Sequence, residues 1–175
     1  VNEANEAGVR LRMRTEDDVE TCVRVLERVH HSDGYPVNWP EKPAAWLAGT
    51  APLGAWVAER DGRLAGHVGL SRSGAGDLAP GLWSGRNGTD EARTAVVGRL
   101  FVAPWARGHG IGALLLGRAV REARRRGLHP VLDVVASDTA AVALYTRLGW
   151  ELLATVEQRW GPSQPVTVHC YAAPP

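Results

Sequence analysis

The sequence predicts a mixed β-sheet carrying helices on its faces, about seven strands and about four helices in the order β-α-α-β-β-β-α-β-α-β-β. Three observations carry this. The first half holds apolar stretches that meander through short turns. The second half contains a strand, a helix and another strand, the pattern of a β-α-β crossover. The chain has 175 residues, 45% apolar and 22% charged, which is ordinary globular usage and the length of one domain, taken as 1–175 with a flexible N-terminus at 1–8. A doubly wound parallel sheet would alternate strand and helix throughout, and this chain does not.

Residues 9–14 alternate apolar and basic, a strand pattern. Thr15 can then cap a helix whose first turn, Glu16, Asp17 and Asp18, is acidic, and Val19, Val23, Leu26 and Val29 recur at helical spacing. Gly34, Pro36 and Pro40 break the chain into a loop at 31–40, and Pro43 opens a short helix. Residues 54–60 and 64–70 read as two strands joined by a tight turn at Asp61-Gly62. From 71 to 94 runs a stretch rich in Gly, Ser, Asp and Pro, read as a long loop of the kind that forms functional lids, with Leu78, Leu82 and Trp83 to bury. Residues 95–102 form a buried strand, and 111–126 a helix with Ile111, Leu114, Leu115 and Ala119 on one face. Residues 131–135 are a buried strand, 139–148 a helix closed by Gly149, and 151–160 and 166–171 two closing strands.

Composition narrows the function. No apolar run approaches the length of a membrane span, and the first residues lack the apolar core of a signal peptide, so the expected compartment is the cytoplasm, with no membrane partner. Net charge is +1; Lys42 is the single lysine among 20 basic residues, and without a basic excess no nucleic-acid partner is expected. The cluster Arg118, Arg121, Arg124, Arg125 and Arg126 reads as a solvated helix face. Cys22 and Cys170 show no metal-ligand spacing, and neighbouring His30 and His31 point about 100° apart on a helix, so no metal is expected.

The chemistry gathers in Pro104-Trp-Ala-Arg-Gly-His-Gly-Ile-Gly112, between a strand and a helix. Gly108, Gly110 and Gly112 let the backbone approach a ligand closely, the helix N-terminus offers N–H groups and a favourable dipole, and Arg107 adds a fixed positive charge. This is the chemistry of a pyrophosphate cradle. Gly108-x-Gly110-x-x-Ala113 with Asp133 also approximates a dinucleotide fingerprint. There the strand runs straight into the first glycine and the acidic residue ends its strand; here residues 104–107 intervene, and Val134 and Val135 follow Asp133.

Arg107-Gly-His-Gly110-Ile-Gly112, preceded by Leu100-Phe-Val-Ala-Pro104 and followed by Asp138-Thr-Ala-Ala-Val-Ala-Leu-Tyr145 and Leu148-Gly-Trp150, resembles the GNAT superfamily of acyl-CoA-dependent N-acyltransferases. The element order matches over nearly the whole chain, and the specific motifs lie within 99–150. The resemblance implies a mixed, mostly antiparallel sheet and acetyl-CoA as donor. It places the donor at Leu100, Phe101, Val102, Arg107, Gly108, His109, Gly110, Ile111, Gly112, Ala113 and Asp138. It implies direct attack by an amine with both substrates bound, a Val102 N–H on the thioester oxygen, and Tyr145 as proton donor to the departing thiolate.

For the amine's proton the resemblance offers Asp133. Leu132-Asp-Val134 stands where the ribosomal-protein alanine acetyltransferases carry Leu-Glu-Val, while Val96 occupies the other position where members place a glutamate. His67 is the second candidate, and a water the third. Asp138 stands where the family often has Asn. Asp33, Tyr35, Trp39, His67 and Trp83 are the acceptor-site candidates. A small-molecule amine is the favoured acceptor, acted on by a monomer or homodimer. A protein N-terminal or lysine acetyltransferase and a non-catalytic acyl-CoA-binding module are the alternatives.

Overall fold

The computed structural model describes Glu3, Ala4 and residues 8–175. The flexible N-terminus expected at 1–8 therefore lies largely outside the described residues; Glu3–Ala4 form a two-residue strand, β1, antiparallel to the next strand. The chain divides into two compact units. One comprises the chain up to Ser71 with Val97–Arg121, the other Arg72–Val96 with Glu122–Pro175.

In the first unit β2 (Val9–Met13), β3 (Pro52–Arg60) and β4 (Arg63–Ser71) form an antiparallel meander, with Val9 opposite Arg60, and Trp56 opposite Val68. The β3–β4 turn is the one the sequence announces: Asp61 and Gly62 have φ of +52° and +72°, the two positive values a tight I′ hairpin turn needs. A single 3-10 turn, Glu16–Asp18, leads into α1 (Val19–Asp33), which buries Cys22, Val25, Leu26 and Val29 and ends at left-handed Gly34. Asp18 there accepts two N–H bonds from Arg12 at 2.7 and 2.8 Å, tying the helix entry to β2. The short α2 (Pro43–Ala48) buries Leu47. The next strand, β5 (Thr94–Val102), belongs to the first unit from Val97 onward and neighbours β4; Ala103 N–H donates to the Ala65 carbonyl at 2.8 Å. α4 (Ile111–Arg125) follows the glycine turn and buries Ile111, Leu115, Leu116 and Ala119.

In the second unit the start of β5 pairs in parallel with β6 (His129–Val135), Val96 opposite Val131. After α5 (Thr139–Arg147) the chain forms β7 (Glu151–Gly161) and β8 (Gln164–Ala172), and β8 lies antiparallel between β6 and β7. The sheet is thus mixed and mostly antiparallel. Its core here is Val96, Val131, Leu153, Val166, Val168, Cys170 and Ala172, with Ala79 packed on it.

One expectation is corrected. The stretch 71–94 is not a long loop; it contains α3 (Ala79–Asn87) and a 3-10 turn at Glu91–Arg93. Pro80, Gly81 and Gly85 give α3 poor intrinsic propensity, and burial supplies what propensity lacks: Ala79 and Pro80 are buried, and Leu78, Leu82 and Trp83 pack against the core. Pro80 in the first turn costs no hydrogen bond, and Gly88, φ +61°, ends the helix.

Candidate active site

In the first unit, β5 runs into a 3-10 turn at Pro104–Ala106, then through residues 107–110 to α4. Gly108 and Gly110 have φ of +80° and +73°, values that strain any residue with a Cβ. Nothing lies within 4 Å of where a Cβ would stand at either, so this turn uses glycine for backbone conformation and leaves open space beside it. Gly110 starts α4, its carbonyl accepting the Leu114 N–H at 3.1 Å. The N–H groups of Ile111, Gly112 and Ala113 therefore head the helix without intrahelical acceptors, and no acidic side chain stands in its first turn. Such a turn fits a bound anion; the residues present suit the diphosphate of CoA.

Arg107 flanks this turn. It is ion-paired with Asp33 at the end of α1, and it donates to the Val102 carbonyl at 3.3 Å. Asp33, an acceptor-site candidate, thus meets a donor-site candidate, and the guanidinium holds its carboxyl below the usual carboxylate range. Both side chains are about two-fifths exposed, so the pair is open to exchange with a competing anion.

Upstream, β5 carries a feature the sequence does not announce. Arg99 is a non-glycine residue with φ +53° inside a strand. Its carbonyl lies 2.8 Å from His67 Nδ1. His67 is fully buried; its Nε2 is 3.1 Å from an Arg14 guanidinium nitrogen and its ring stacks on Phe101 at 5.3 Å. Burial pushes its pKa down to about 4, so the ring is neutral. With no exposed surface and both nitrogens engaged, His67 offers no face to an acceptor in this conformation. Of the aromatic candidates here, Tyr35 meets Trp46 edge-on at 6.3 Å, and Trp39 lies 5.3 Å from His30.

In the second unit, the Asp133 carboxylate accepts the N–H of Leu78 at 2.6 Å and of Ala79 at 3.0 Å, one on each oxygen. A strand residue thereby caps a helix that begins more than fifty positions earlier. Asp138 caps α5, accepting the Ala141 N–H at 3.1 Å. Tyr145 is buried on α5, its ring 5.8 Å from Trp150 and 5.7 Å from Tyr171. Trp83 stacks on His129 at 4.4 Å and 8°. Among the described residues no three His, Cys, Asp or Glu side chains gather as a metal site. No helix among them is long and apolar enough to cross a membrane.

These features amount to a glycine turn that leads into an acid-free helix N-terminus on a mixed sheet. The family model of the acetyltransferase (GNAT) family matches residues 22–150, and the chain belongs to that family. An uncharacterized N-acetyltransferase of Methanocaldococcus jannaschii is 26% identical over 146 residues, covering 81% of this chain and 60% of that protein. The mycothiol acetyltransferase of Cellulomonas flavigena is 38% identical over 112 residues, covering 63% of this chain and 30% of that protein. The chain thus spans 60% and 30% of the lengths of these curated relatives. Among solved structures, the yncA protein of Salmonella typhimurium, solved with its cofactor acetyl-CoA, superposes with a TM-score of 0.65 at 21% identity, over 94% of this chain and 92% of that one. At that identity the likeness shows the fold.

Proposed function

We propose that this chain, acting as one catalytic domain in the cytoplasm, transfers an acetyl group from acetyl-CoA to a primary amine, with a small-molecule acceptor favoured. The observation that carries the proposal is the glycine turn: two left-handed glycines, Arg107 and an acid-free helix N-terminus in immediate succession. The names of the relatives, an N-acetyltransferase and a mycothiol acetyltransferase, support acetyl transfer as the reaction class. The cofactor-binding set is then residues 100–102 of β5, residues 107–113, and Asp138.

The free amine attacks the acyl carbon. A tetrahedral intermediate forms, the carbon–sulfur bond breaks, and the thiolate leaves with a proton supplied by Tyr145. The Val102 N–H is proposed as the donor to the developing oxyanion. The amine's proton goes to Asp133, directly or through a water. Capping α3 uses one lone pair on each Asp133 oxygen and leaves acceptor capacity, so an anchoring and a proton-accepting role are compatible. Asp33, Tyr35, Trp39 and Trp83 remain the proposed acceptor contacts.

The test is a thiol-release screen with acetyl-CoA against simple amines, aminoglycosides and peptides, run beside a Tyr145→Phe variant. Phe keeps the ring packing and removes the proton, so turnover should fall about 100-fold while CoA binding holds. Full activity in that variant removes Tyr145 as the acid. CoA binding without thiol release for any acceptor would leave an acyl-CoA-binding module as the better reading.

A further inference from the structure

β4 places one polar ring in the interior of the first unit. His67 stands opposite Val57 of β3, has no exposed surface, and spends both nitrogens on specific partners. A guanidinium can only donate, so His67 Nε2 accepts from Arg14 at 3.1 Å and the ring proton sits on Nδ1. Nδ1–H therefore donates to the Arg99 carbonyl at 2.8 Å. That carbonyl belongs to the residue whose left-handed backbone interrupts β5, a conformation that non-glycine residues adopt only when their surroundings hold them in it.

The same ring stacks on Phe101, with 17° between the planes, so it grips β5 on either side of Leu100. Beside it, a Cβ at Gly66 would stand 2.8 Å from the Phe101 carbonyl, so β4 is built to let this part of β5 come close. The charged groups facing the ring are Arg14 and Arg99. Arg14 donates onward to the Leu47 carbonyl at 3.0 Å. The Arg99 guanidinium donates to the Trp46 carbonyl and lies 5.0 Å over the Trp46 ring. Both arginines thus end on the last turn of α2.

We propose that His67 is a positioning residue of the donor site: by holding the Arg99 carbonyl and the Phe101 ring, it fixes the strand whose Leu100, Phe101 and Val102 backbone groups receive the pantetheine arm. This rests on the acyl-CoA reading. It moves His67 from a base or acceptor contact to the setting of the strand, and makes Arg14 and Arg99 its partners.

Three variants separate the hydrogen bonds. His67→Asn keeps a donor near the Nδ1 position. His67→Gln reaches the Nε2 position and loses the bond to Arg99. His67→Phe keeps the stacking and loses both bonds. Each is measured by urea unfolding, by amide hydrogen exchange at 100–102 without ligand, and by titration with CoA. Exchange at 100–102 should accelerate about tenfold or more in the Gln and Phe variants and stay near wild type in Asn. CoA affinity should weaken about tenfold in the same two and within about threefold in Asn, all beyond any change in unfolding midpoint. Unchanged exchange and affinity in Gln and Phe, or an Asn variant as impaired as Phe, overturns the assignment. A wild type that binds no CoA overturns the acyl-CoA reading itself, a result recognisable before any variant is compared.

Discussion

Two helix N-termini in this chain face the same electrostatic problem and answer it differently. α3 begins against a carboxylate from its own chain: Asp133 accepts the Leu78 and Ala79 N–H groups. α4 begins at Gly110, between glycines and beside Arg107, with no acidic side chain in its first turn. Every helix start presents unsatisfied N–H groups and a positive dipole end, so each attracts an anion. At α3 the anion is internal and fixed, which makes Asp133 part of the fold. At α4 the acid is missing, and the anion proposed to complete it is the diphosphate of CoA. The closed N-terminus serves stability, and the open one is the end the proposed function uses for binding.

The largest expected effect tests the open end. Arg107→Ala should weaken CoA binding by about 1.5–3 kcal/mol, at least tenfold, with little change in unfolding midpoint. A titration giving equal affinity for CoA and for pantetheine lacking its phosphates would break the comparison, because the turn would then hold no diphosphate. Next comes the closed end. Asp133→Asn should destabilise the protein by about 1 kcal/mol through the weakened cap while sparing CoA affinity. If Asp133 also takes the amine's proton, turnover falls at pH 7 and partly recovers as pH rises and more amine arrives neutral. A loss of the same size at every pH leaves the anchor alone.

Gly110→Ala should cost about 1 kcal/mol in stability, since φ of +73° is poor for any Cβ, whereas Gly112→Ala, inside the helix, should be neutral or slightly stabilising. Thermal melts of the two variants measure the contrast. The smallest effect belongs to Asp33→Asn. Its exposed pair with Arg107 contributes about 0–1 kcal/mol to stability. The pair is intact above the ordinary carboxylate range and is lost only as pH falls through the lowered Asp33 value. Freeing Arg107 should leave CoA affinity equal or higher, and a marked loss would mean that the pair orients Arg107 for its ligand.

The contrast also marks how far the sequence can be read. The Asp61-Gly62 turn, α1 and the 107–113 turn are legible because their causes are local: positive-φ residues, capping and helical spacing lie within a few positions. α3 is hidden because its cap comes from Asp133, and its hydrophobic partners from β6 to β8. Pro80 followed by Gly88 was the local signal for it, and Gly81 and Gly85 obscured that signal. At the candidate site, the glycine turn is legible, while the Arg107–Asp33 pair and the left-handed Arg99 are not. No propensity marks an arginine for positive φ; the partners that hold it, His67 and Trp46, lie 32 and 53 positions away.

The two cysteines give each compact unit its own reporter. Cys22 lies on the buried face of α1 in the first unit, and Cys170 in β8 in the core of the second; both are unbridged, with burial raising each thiol to about 12. A thiol held so far from ionisation reacts with an alkylating or disulfide reagent only when its surroundings open. A thiol-release assay on the native protein therefore counts CoA and not the enzyme. Under longer exposure, the labelling rate at Cys22 reads the opening of one unit and that at Cys170 the opening of the other, so mass spectrometry of the two peptides can separate local from global unfolding without any introduced probe.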